Sequence, residues 1–79
     1  MYLAIKEVIP QDDYFLLLTF ENGETRQFDM KPYLELGIFK ELRDIELFKT
    51  VKTSFDSIEW GNEADFDPEI LYQKSLKIE

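Results

Sequence analysis

Seventy-nine residues with no cysteine and no histidine, 44% hydrophobic and 33% charged, describe one small domain that must build its core without disulfides. The formal charge of -8 opposes nucleic-acid backbones and anionic lipid surfaces, so neither a general nucleic-acid binder nor a membrane binder is expected. Seven Phe, four Tyr and one Trp carry too much apolar area for a disordered chain.

Leu3 to Ile9 reads as a first strand closed by Pro10, with a turn through Gln11, Asp12 and Asp13. Tyr14 to Phe20 is the strongest strand signal. It is apolar at both periods, as expected for a central strand covered on most of both faces. Asn22 and Gly23 tolerate the positive φ that a hairpin turn needs, and Thr25 to Met30 is the return strand. A two-residue turn would set Leu17 opposite Phe28, and a three-residue loop with a glycine bulge would set Leu16 there; the pattern leaves both open.

Pro32 suits the first positions of a short helical turn through Tyr33 and Leu34. After Gly37, the spacing of Phe39, Leu42 and Ile45 predicts the apolar stripe of a short helix to about Arg43. Asp44 is placed to cap a further turn holding Leu47 and Phe48. Thr50 to Phe55 alternates Val51, Thr53 and Phe55 against Lys52 and Ser54, a strand that Asp56 and Ser57 turn into Ile58 to Trp60. Asp67 as N-cap, Pro68 at the first helical position and Glu69 in the first turn predict a helix to about Lys74, with a tail beyond it. The order β-β-β-α-β-β-α, with links too short for parallel crossovers, predicts an α+β domain with a small, mainly antiparallel sheet.

Chemistry is limited by what is missing. Without Cys there is no zinc knuckle, iron-sulfur site or thiol nucleophile, and without His the side chain that titrates nearest neutral pH is gone. Ser54, Ser57 and Ser75 sit in no S-x-x-K spacing. No catalytic residue, metal or cofactor is therefore expected. The longest apolar run, Tyr14 to Leu18, falls far short of the ~18 to 20 residues of a membrane span. The first residues lack a basic leader, so the cytoplasm is the expected location.

Glu63, Asp65, Asp67 and Glu69 form the one concentration of acidic groups. Read as a calcium loop from Asp65, it places Ile70 and Leu76 where glycine and a bidentate glutamate belong, so capping and solvated acidity explain it better. Asp65 is left unexplained by the cap. Trp60 beside Gly61 suits either the core, at a strand end, or an interface anchor. Arg26 and Arg43 have no basic neighbours that would make a phosphate site.

Taken together, T-F-E-N-G-E at residues 19–24, Phe28-Asp29, Pro32-Tyr33-Leu34, Phe39, Leu42 with Asp44, Phe48, and W-G-N-E-A-D-F-D-P-E-I-L-Y at residues 60–72 make a pattern. It resembles domain-of-unknown-function family 2442 of small bacterial and archaeal proteins, over about Ile5 to Tyr72. The family often shows Trp-Pro-Asn-Gly where this chain has Trp60-Gly61-Asn62-Glu63. The resemblance implies a small α+β fold, found alone or fused to a helix-turn-helix domain for which 79 residues leave no room. Members are often encoded beside another small protein, and some are candidate antitoxins. It supplies no catalytic or ligand residues.

The expected role is a non-enzymatic interaction module for a small companion protein, antitoxin-like or scaffolding. Trp60, Glu63, Asp65 and Glu69 are its candidate contacts, and Asn22, Gly23, Asp67 and Pro68 its structural motifs. The alternative is a small-ligand or sensory domain acting as a homo-oligomer.

Overall fold

The computed structural model describes residues 4–78. The chain runs β1 (Ile5–Gln11), β2 (Phe15–Phe20), β3 (Thr25–Asp29), two 3-10 turns (Lys31–Tyr33 and Gly37–Arg43), α1 (Ile45–Phe48), β4 (Lys52–Ser54), β5 (Ser57–Glu59), β6 (Asp65–Phe66), α2 (Pro68–Lys74) and β7 (Leu76–Lys77). A four-stranded sheet in the order β1-β2-β3-β7 and a three-stranded sheet β4-β5-β6 are both antiparallel throughout, so the fold is α+β.

The expected central strand is central, but only one of its faces is buried. Leu16, Leu18 and Phe20 point into the core, while Phe15, Leu17 and Thr19 stay half-exposed, because helices and the second sheet cover one side only. Leu16 lies opposite Phe28. The register is therefore that of the three-residue loop: the Phe20 N–H donates to the Glu24 carbonyl at 2.9 Å, and Gly23 adopts φ +89°. The first strand departs from expectation at both ends. Leu3 lies outside the described residues, and Pro10 sits inside β1, where an edge strand can spare its N–H.

The same loop recurs forty residues later in the chain. Trp60 N–H donates to the Ala64 carbonyl at 2.8 Å, Asn62 accepts from the Ala64 N–H as Asn22 does from Glu24, and Glu63 holds the left-handed position that Gly23 holds in the first loop, at φ +71°. A side chain there costs about 1 to 2 kcal/mol that glycine avoids, partly offset by glycine's extra freedom when unfolded. Glu63→Gly is expected to raise the urea midpoint by an amount worth about 0.5 to 1 kcal/mol. Gly61 has its own constraint: its N–H donates to Thr50 Oγ1 at 2.8 Å, a bond that proline at this position would lack.

Three further expectations need correction. Ile45 is exposed and does not continue the stripe of Phe39 and Leu42, because the segment before it is a 3-10 turn with three residues per turn and the chain breaks direction at Asp44. Asp44 does cap α1, its carboxylate accepting from the Glu46 N–H at 3.1 Å. Phe55 does not share an inward face with Val51. It forms the tip of the β4–β5 turn at φ +56° and is fully exposed. Residues beyond Lys74 are not a tail: Leu76 and Lys77 pair with Gln27 and Arg26 to make β7.

The core joins Leu16, Leu18, Phe20 and Phe28 of the large sheet to Ile58 and Phe66 of the small one, with Leu42, Phe48, Trp60 and Leu71 between and around them. Phe66 makes the central aromatic contacts, edge-on to Phe28 and Tyr33 and stacked on Phe39 at 5.1 Å.

Candidate functional site

A groove of about 720 Å³ opens beside the small sheet. Its walls come from three places: the β4–β5 turn (Ser54 to Ser57), β5 (Ile58 and Glu59), and β6 with the start of α2 (Asp65 to Glu69). The register explains why distant carboxylates meet there. Glu59 lies directly opposite Asp65, so the two share one face of the sheet, and the hairpin tip brings in Asp56. Asp67 and Glu69 arrive through the start of α2, where the Asp67 carboxylate accepts from the Glu69 N–H at 2.8 Å with Pro68 at the first helical position. A cap of this kind contributes about 0.5 to 2 kcal/mol.

The result is a concave surface lined by five carboxylates, Asp56, Glu59, Asp65, Asp67 and Glu69, and by no lysine or arginine. Apolar walls are Ile58, Phe66, Pro68 and Phe55, whose ring is 102% exposed relative to an extended chain. An aromatic ring beside clustered carboxylates can receive a cationic side chain by charge and by its π face together. Lys52 pairs with Glu59 at the far side of the sheet and is the nearest basic position along that row.

The residues singled out from the sequence separate here. Asp65 and Glu69 line the groove, and Asp65, which capping did not explain, acquires a place in it. Glu63 lies in the Trp60–Ala64 loop and is not a lining residue. Trp60 is 1% exposed, its Nε1–H donating to the Phe48 carbonyl at 3.1 Å, so its ring is a core element and offers nothing at the surface. The serines are engaged locally: Ser57 Oγ donates to the Phe66 carbonyl, and Ser75 Oγ donates to Tyr72 O at 3.1 Å while accepting from Arg26. Among the described residues no group of His, Cys, Asp and Glu has a metal-holding arrangement, and no helix is long and apolar enough to cross a membrane.

A second polar cluster lies against α2, and the sequence gave no sign of it. Glu24 accepts from the Tyr72 hydroxyl, the Arg26 guanidinium and the Asn22 amide, each at 2.7 Å. These bonds, Tyr72 first, hold its carboxyl down from an ordinary 4.5 to about 2, and the same bond to Glu24 pushes the Tyr72 hydroxyl up. A depressed carboxyl stabilises the fold fully above its unfolded value, and the benefit fades as pH falls from 4.5 towards 2. The parent is therefore expected to lose urea resistance across that window more steeply than Glu24→Gln, and parallel acid limbs would rule the assignment out.

Residues 5–77 match the model of a family described as protein of unknown function (DUF2442). No curated protein and no solved structure matches the chain.

Proposed function

The chain belongs to that DUF2442 family, and on this premise we propose that it is a binding module, without chemistry of its own, whose acidic groove receives a basic segment of a small companion protein. The observation that carries the reading is the groove's composition: five carboxylates and an exposed phenyl ring on one concave surface, with no cation among the lining residues. Proteins seldom hold so many like charges together without a partner to neutralise them, because each raises the potential felt by the others. The absence of histidine and cysteine from the sequence, and the local engagement of Ser57 and Ser75, favour binding over catalysis. Neutralising the companion, in the manner of an antitoxin, and scaffolding it are both forms of this role.

Charge of this kind speeds encounter, and apolar contact sets the lifetime of the complex. With the companion isolated by co-purification from the native host, Glu59→Gln, Asp65→Asn and Glu69→Gln combined should lower the association rate and flatten its decline between about 50 and 300 mM salt. Asp67 is spared so that the helix cap survives. Phe55→Ala should instead speed dissociation. An unchanged association rate for the triple variant across that range would sink the reading, as would the failure of any protein to accompany the native chain.

A further inference from the structure

The outer face of the four-stranded sheet carries the second exposed feature of the molecule. Side chains alternate across each strand, so the residues opposite the buried set Leu16, Leu18 and Phe28 all point the other way. One cross-strand row on that face reads Ile9, Leu17, Gln27, Leu76, and Phe15 and Ile78 flank it. Ile9 is 44%, Ile78 52% and Leu76 74% exposed. Leu17 and Phe15 are half-buried by their neighbours within the sheet. The core, both helices and the second sheet lie on the opposite side, and no described element packs over this one.

Charge identifies the occupant. The ionised groups along these strands on this face are Glu7, and Asp29 with Lys31 beside it at 3.1 Å, which leaves one net negative charge where the whole chain carries -8. A basic companion is drawn to the groove and has nothing to grip here. An anionic lipid surface is repelled by the chain as a whole. A second copy of the chain meets repulsion over most of its surface, and least where two of these near-neutral faces oppose each other.

We propose that two copies pack through this face as a two-fold dimer, sheet on sheet, each copy's Ile9–Leu17 end lying over the partner's Leu76–Ile78 end. In an isologous contact each surface must complement itself. The row does, because its apolar groups stand at both ends with Gln27 between, hydrogen bonded to Gln11 at 3.1 Å. Four strands about 4.8 Å apart and about five residues long give a patch of roughly 300 Å² in projection, at the small end of specific interfaces. The dimer is therefore reversible and concentration-dependent. It is also favoured by salt, since screening removes repulsion between two acidic bodies, and this sign is opposite to that expected for the groove and its basic companion.

Sedimentation equilibrium of the full chain from about 10 µM to 1 mM, at about 50 and 300 mM salt, tests this. The average mass should rise from monomer towards dimer with concentration, and at lower concentration in the higher salt. Leu76→Glu and Ile9→Glu, at opposite edges of the sheet and each checked for native circular dichroism, should each weaken dimerisation at least tenfold, about 1.4 kcal/mol. Phe55→Ala, in the groove, should leave it unchanged. A mass that stays monomeric throughout, a dimer stronger in low salt, or folded Leu76→Glu or Ile9→Glu protein that dimerises like the parent would overturn the proposal. Companion binding can succeed or fail independently of each of these outcomes.

Discussion

Trp60→Ala is expected to remove about 3 to 5 kcal/mol, most of what a domain of this size has in reserve. The indole is fully enclosed, edge-on to Phe39 with centroids 6.1 Å apart and tilted against Phe48 at 6.3 Å. Its removal leaves a cavity between the second 3-10 turn and α1, and it strips the Phe48 carbonyl of the 3.1 Å bond from Nε1. Neighbours cannot collapse into the space easily, because the Trp60–Ala64 loop is pinned by Gly61 to Thr50 and by the Asn62 amide to Glu41 at 2.9 Å. Urea denaturation followed by circular dichroism should show the variant largely unfolded in buffer. Trp60→Phe, which refills much of the volume but loses the indole N–H, should fall between the two. A parent-like midpoint for the alanine variant would contradict the burial described.

Arg26→Ala is expected to cost about 2 to 3 kcal/mol and to act first on the far end of the chain. The guanidinium, though in the middle of β3, holds the last segments: Nε donates to Ser75 Oγ at 2.8 Å, Nη2 to the Ser75 carbonyl at 2.9 Å, and Nη1 to Glu24 at 2.7 Å. Its carbon centre also lies 4.3 Å over the Tyr72 ring. Alanine leaves Ser75, which is buried, short of its partner. Amide exchange should then accelerate across residues 71–78 before the rest of the sheet responds. Lysine should not rescue the variant, since a single ammonium cannot reproduce the fork. Uniform acceleration along the whole chain would mean that Arg26 does not act as this clamp.

The parts legible in the sequence were those decided by local chemistry. Asp67 with Pro68, Asp44 before α1, and Asn22 with Gly23 each declare a backbone geometry within a few residues, and the structure has all three. The register between β2 and β3 was open because both loop lengths suit Asn22 and Gly23; the choice falls to the burial of Leu16 and Phe28 from the opposite side. β7 was invisible because Leu76 and Lys77 form a strand only through partners some fifty residues away, with Arg26 joining them. Period-two alternation put Phe55 inside with Val51, and the turn overrode it. For the groove, Asp65, Asp67 and Glu69 stood out as a run, whereas Asp56 and Glu59 join them only once β5 pairs with β6.

Phe55 stands at a position where glycine would be the more comfortable residue, with φ +56° and no neighbour packed on its ring. Directed evolution for heat resistance alone would therefore discard it early, and the winning variants would be those that had lost the aromatic group at the mouth of the groove. Stability-guided engineering of this protein would then erase the feature on which partner capture is proposed to depend, while every spectroscopic check of folding improved.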